Sequence, residues 1–153
     1  MTRRLGTIAI AVGAVALLAA SSGDDWAPAA AKARQGQATK LKLKSSPYGR
    51  VLFSGGYAMY LFTRDDGSRS ECRGACAKAW PPLEARGEVE AARGVKQRLI
   101  GTTTRGNGRK QVTYDGHPLY GYVDDPRGEV LCHDVAEFGG TWYAVRKSGK
   151  PAP

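Results

Sequence analysis

Cysteine is the residue in this chain best suited to chemistry, and it occurs three times, at Cys72, Cys76 and Cys132. On one regular helix Cys72 and Cys76 would have Cα atoms about 6 Å apart, near the upper end of disulfide geometry. Gly74 between them can relax the backbone. The other structural pairing joins Cys132 to Cys72 or Cys76, and closing that longer loop would stabilise by on the order of 4 kcal/mol. In an oxidising compartment either pairing leaves one thiol over. The Cys-x-x-x-Cys spacing also suits a zinc half-site. Its other half would come from Cys132 and His133, adjacent residues that point to opposite faces of a strand. A metal or thiol-redox site of Cys72, Cys76, Cys132 and His133 is therefore the alternative to a structural disulfide.

Other chemistries find less support. An activated nucleophile needs a base placed beside it, and the sequence contains no Gly-x-Ser-x-Gly elbow, no His-Glu-x-x-His and no phosphate-cradling glycine loop. The carboxylate pairs Asp65-Asp66 and Asp124-Asp125 adjoin turn residues, where an aspartate accepts hydrogen bonds from turn N–H groups. They lack EF-hand spacing. The expectation is a protein without enzymatic activity and without a cofactor.

The elements that position these residues begin with an export signal. Arg3-Arg4 precede an apolar run from Leu5 to Ala20, too short for the ~20 residues that span a bilayer. Residues 1–22 read as a signal peptide, with Ala20-Ser21-Ser22 offering small residues for cleavage. Leu18-Ala19-Ala20-Ser21 is lipobox-like, but Ser21 stands where a lipid-accepting cysteine would be. The expectation is a secreted or cell-envelope protein with no lipid anchor and no stable membrane span after signal cleavage. Residues 23–39 read as a flexible linker, and residues 40–150 as one domain of about 110 residues, enough for its own core.

The formal net charge is +9. No acidic residue falls between Asp25 and Asp65, whereas Lys32, Arg34, Lys40, Lys42, Lys44 and Arg50 do. Such an arm is either a solubilising linker or a contact for an anionic polymer. Export makes nucleic acid an unsuitable partner, so the expected partner is an anionic cell-envelope polymer or an envelope protein.

Turn signals at regular spacing predict a mostly β fold. Lys40 to Lys44 alternates lysine and leucine, as expected of an edge strand with a lysine face. Arg50–Ser54 and Tyr57–Thr63 flank Gly55-Gly56, a hairpin signal. Leu99–Thr104 and Arg109–Tyr114 flank Gly106-Asn107-Gly108, where Asn-Gly suits a type I′ turn. Asp115-Gly116 leads into a run ending at Val123, and Thr141–Arg146 reads as a last strand. Short helices are predicted over Arg73–Ala79, ending at Trp80 before Pro81, and over Glu88–Arg93, ending at Gly94.

The segment from Gly56 to Asp65 recurs sixty residues on, from Gly116 to Asp125, and Cys72 and Cys132 share that offset. The repeat units are about residues 50–83 and 99–146. Two copies suggest two pseudo-symmetric hairpin units, each hiding its apolar face against the other. Within them Tyr60 and Phe62 share one strand face, with Met59 and Leu61 on the other, and Tyr120 and Tyr122 repeat that geometry. Asp65 and Asp125 end the strands. Trp80 and Trp142 are either core residues or, exposed together with Tyr143, an aromatic surface for a sugar or peptide.

These residues resemble a bacterial family of secreted repeats and lipoproteins of unknown function that carries the pattern Tyr-x-(Phe/Trp/Tyr)-x-x-Asp. The pattern occurs here as Tyr60-x-Phe62-x-x-Asp65 and Tyr120-x-Tyr122-x-x-Asp125. The resemblance extends to the stretch from Cys72 through Trp80 to Leu83, to Gln111–Gly116 and to Gly139–Tyr143, covering roughly residues 40–150. It departs at Ser21 and at Cys132-His133. The resemblance implies a secreted or envelope-attached bacterial protein and no particular activity. The expected function is a non-catalytic structural or binding module outside the cytoplasm.

Overall fold

The computed structural model describes residues 38–153. The expected signal peptide and most of the expected linker lie outside the described residues. The remainder is mostly β, arranged as three small sheets with one short α-helix.

The first sheet comprises β1 (Thr39–Ser46), β2 (Gly49–Ser54), β3 (Tyr57–Ala58) and β5 (Val89–Ala91), in the order β3-β2-β1-β5. The lysine–leucine alternation of β1 is borne out. Leu41 is buried and Leu43 half-buried, while Lys40, Lys42 and Lys44 are exposed. The expectation of an edge strand needs correction. Residues Thr39–Leu41 pair in parallel with Val89–Ala91, so only the second half of β1 has a free side. The same pairing overturns the helix expected over Glu88–Arg93. Val89 is buried against Leu41, and this apolar contact with its backbone ladder prevails over local helix propensity.

The second sheet joins β4 (Tyr60–Phe62), β10 (Gly140–Ala144) and β9 (Val135–Glu137) in the order β4-β10-β9. The third joins β6 (Ile100–Thr104), β7 (Lys110–Tyr114) and β8 (His117–Pro118) in sequence order. A 3₁₀ turn at Gln97–Leu99 replaces the start of the strand expected from Leu99. The helix α1 (Ala75–Ala79) lies within the span expected and stops at Trp80.

Corresponding turns in the two repeats match. Gly55-Gly56 and Asp115-Gly116 have both residues at positive φ, the requirement of a type I′ hairpin. The Gly106-Asn107-Gly108 turn differs from expectation. Only Gly108 is at positive φ, and the Gly108 N–H donates to the Arg105 carbonyl at 2.9 Å, so the loop is a three-residue hairpin turn and not type I′.

The repeats interlock. Val145, from the end of the second repeat, exchanges backbone hydrogen bonds with Leu52 and Met59 of the first. Leu83, from the end of the first, does the same with Val112 and Leu119 of the second. Each repeat thus supplies a strand segment that completes the other. The side chains follow the two strand faces expected: Tyr60 and Phe62 enter an aromatic core with Tyr120, while Met59, Leu61 and Leu119 enter a separate aliphatic core.

Candidate functional site

The repeated Tyr and Asp residues meet where the two repeats cross. Tyr60 and Tyr120 form an antiparallel bridge, with N–H to carbonyl distances of 2.8 and 3.0 Å. Their phenols then reach the aspartate of the opposite repeat. Tyr60 Oη donates to Asp125 Oδ2 at 2.7 Å, and Tyr120 Oη donates to Asp65 Oδ2 at 2.8 Å. The second carboxylate oxygen closes the local loop in each case. Asp65 Oδ1 accepts from the N–H of Glu71 at 2.8 Å, and Asp125 Oδ1 accepts from the N–H of Leu131 at 3.2 Å. The turn-closing role expected of these aspartates is present, with a cross-repeat bond added to it.

Between the two pairs lie the tryptophans. Trp80 and Trp142 stack in parallel, 4.0 Å between ring centroids and 2° between planes. Tyr60 meets Trp80 edge-on and Tyr120 meets Trp142 edge-on. Phe62 stacks on Trp142 at 4.1 Å, and Tyr122 lies against Trp80 at 4.7 Å. Both tryptophans are fully buried, which overturns the aromatic surface considered for them. Apolar area of this size is worth more inside a core than held in water. Tyr143 is only half-buried, and its ring lies edge-on to His133. The two indoles differ in one respect: Trp80 Nε1 donates to Glu137 at 2.8 Å, whereas Trp142 Nε1 is buried without a partner among the described residues.

Burial governs the ionisation here. It raises the Asp65 carboxyl to about 6, opposed by the Glu71 N–H, the Tyr120 hydroxyl and Arg105. Asp125 is raised for the same reason, against the Tyr60 hydroxyl and the Leu131 N–H. Both phenols are pushed well above the ordinary range, foremost by burial, and so remain protonated donors.

The cysteines separate. Cys72 and Cys76 form a disulfide, the first of the pairings considered. Cys132 is a free, half-buried thiol near Tyr60 and Tyr122, and burial followed by the charge of Asp125 raises its pKa. A thiol held protonated is a weak nucleophile. His133 points elsewhere. Its Nδ1 accepts from the Ala144 N–H at 3.2 Å, so its Nε2 carries the proton and donates to the Pro153 carbonyl at 3.1 Å. The four residues of the alternative metal site are therefore not brought together, and among the described residues no cluster of three metal-ligating side chains forms.

Sequence reasoning missed Ser70, Arg105 and Glu137. Ser70 Oγ lies 2.8 Å from Tyr120 Oη and 2.7 Å from the guanidinium of Arg105, and so links the motif to the second hairpin. The repeat spacing offered one usable signal: the six-residue interval from Asp65 to Glu71 recurs from Asp125 to Leu131.

Two crossed hairpin repeats held by reciprocal Tyr–Asp bonds define a small secreted-repeat β module. The family described as a secreted repeat of unknown function matches twice, over residues 44–84 and 101–146, and the chain belongs to it. Those two matches coincide with the halves that exchange Tyr60, Asp65, Tyr120 and Asp125. Neither a curated protein nor a solved structure matches the chain. No helix among the described residues is long and apolar enough to cross a membrane.

Proposed function

We propose that this chain is a non-catalytic structural and binding module of the cell exterior, contacting an anionic envelope polymer through its lysine face. The observation that carries the reading is the row Lys40, Lys42 and Lys44, exposed on one side of β1 while the leucines between them turn inward. Alternate residues of a strand recur about every 7 Å, a spacing suited to a repeating anionic chain. Lys40 shares its charge with Glu90 at 3.3 Å, and Lys44 Nζ donates to the Gly128 carbonyl at 2.8 Å, which leaves Lys42 the least engaged.

The motif residues support the non-catalytic part of the reading. The hydroxyls of Tyr60 and Tyr120 and each oxygen of Asp65 and Asp125 already have a partner within the fold. The tryptophans and the disulfide are equally committed to the interior. The metal or thiol-redox alternative draws less support, because Cys72 and Cys76 are bonded to each other and His133 is turned away from Cys132.

The test is retention of the full chain on isolated envelope polymer as salt is raised. Binding through the lysine face predicts retention that weakens steeply with salt and weakens again in a Lys40→Gln/Lys42→Gln variant. Retention that ignores both changes would contradict the reading.

A further inference from the structure

A cationic cavity that the lysine face does not include lies between the segment Arg69 to Ala77 and the loop joining β6 and β7. It has a volume of about 410 Å³ and is lined by Arg69, Ser70, Arg73, Thr104, Arg105 and Asn107. Three arginines and no acidic residue are among its lining residues.

Arg105, which lines the cavity, is held in place by its own hydrogen bonds. One of its terminal nitrogens donates to Ser70 Oγ at 2.7 Å and Gln111 Oε1 at 2.6 Å, and the other to the Cys72 carbonyl at 2.6 Å. Three of its five N–H donors are thereby used and two remain. Arg69 is balanced by Asp66 and Glu71 at 2.8 and 3.0 Å. Arg73 is exposed and has no acidic partner among the described residues. It lies between Cys72 and Cys76, so the disulfide fixes the backbone that carries it.

The corresponding place in the other repeat is built differently. Residue 133 is sixty residues on from Arg73. There the loop between β1 and β2 lays Tyr48 on the His133 ring, 4.3 Å between centroids. An aromatic pair occupies the position at which the first repeat presents arginines.

We infer that the Arg69–Arg73–Arg105 cavity binds a phosphate group carried on a small polyol or sugar. Guanidinium forks match phosphate oxygens two at a time. The volume exceeds what a bare ion fills and lies in the range of small-molecule sites. Thr104 and Asn107 supply a hydroxyl and an amide for the carrier. The inference deepens the proposed envelope-polymer contact and rests on it only for the source of the phosphate.

The experiment is calorimetric titration of the full chain, at low salt, with inorganic phosphate, with glycerol 3-phosphate and with a short glycerol-phosphate polymer. Glycerol 3-phosphate is expected to bind more tightly than inorganic phosphate. Arg73→Gln, an exposed change off the core, is expected to weaken it about tenfold, and Lys40→Gln/Lys42→Gln to leave it unchanged. Arg105→Gln serves as a second variant where circular dichroism shows it folded. Equal binding of glycerol 3-phosphate by the parent and Arg73→Gln, or no binding by the parent at millimolar ligand, overturns the inference. Polymer binding lost only in the lysine variant, together with glycerol 3-phosphate binding that Arg73→Gln leaves unchanged, would also overturn it while leaving the proposed function standing. Glycerol 3-phosphate binding that requires Arg73, with no retention of the polymer, would support the cavity and remove the envelope-polymer reading.

Discussion

Tyr60 and Tyr120, sixty residues apart in sequence, exchange both of their backbone hydrogen bonds, at 2.8 and 3.0 Å, on the line where the two repeats cross. This bridge sets both phenols so that each faces the aspartate of the other repeat. Within each copy the Tyr-to-Asp spacing is thus not a local contact. It is one half of a reciprocal pair.

Neither repeat is then expected to fold alone. A chain ending at residue 98 keeps Tyr60 and Trp80 but loses Asp125, Trp142 and the Val145 segment that bonds Leu52 and Met59. Its aromatic core would be open to water on one side, at a cost of several kcal/mol for the large side chains exposed. Circular dichroism and amide dispersion by NMR should show residues 38–98 unfolded, with recovery on mixing with residues 99–153. A stably folded first half would contradict the interlocked arrangement.

The aspartates give stability a definite pH dependence. Asp65 titrates at about 6 in the folded chain against an ordinary value of 3.8, and Asp125 is shifted in the same direction. Between pH 4 and 6 the folded state therefore binds more protons than the unfolded one. By linkage, their contribution is fully present below the unfolded value and is lost as pH rises through the folded one. Urea denaturation should show stability falling over that window, and Asp65→Asn should flatten the fall. A rise in the contribution of Asp65 over the same window would contradict the burial-driven shift.

The disulfide closes a very short loop, so its removal should cost only about 2 kcal/mol on the chain-entropy estimate. Cys72→Ser/Cys76→Ser should remain folded, with a lowered urea midpoint. Alkylation of the native, non-reduced chain should add a single group, mapped to Cys132. An adduct on Cys72 or Cys76 would mean that Cys132 is bonded instead.

Much of this arrangement is legible in the sequence, and what is not has physical reasons. The Gly55-Gly56 and Asp115-Gly116 turns are local, since both demand positive φ at consecutive residues. The division of Tyr60 and Phe62 from Met59 and Leu61 follows from strand alternation. By contrast, the pairing of Val89 with Thr39 joins residues fifty positions apart and overrides a local pattern that favours helix. The burial of Trp80 and Trp142 depends on stacking across the repeat boundary, which neither copy encodes alone. Arg105 is not legible in the sequence because an arginine beside a glycine-rich turn reads as an exposed residue. Its partners Ser70, Cys72 and Gln111 lie on two other segments.

A pair of double-mutant cycles on thermodynamic stability tests the crossed motif most directly, one combining Tyr60→Phe with Asp125→Asn and the other Tyr60→Phe with Asp65→Asn. Crossed pairing predicts a coupling of about 1–3 kcal/mol in the first cycle and additivity within about 0.5 kcal/mol in the second. Coupling confined to Tyr60 and Asp65, the two residues of a single copy, would contradict it.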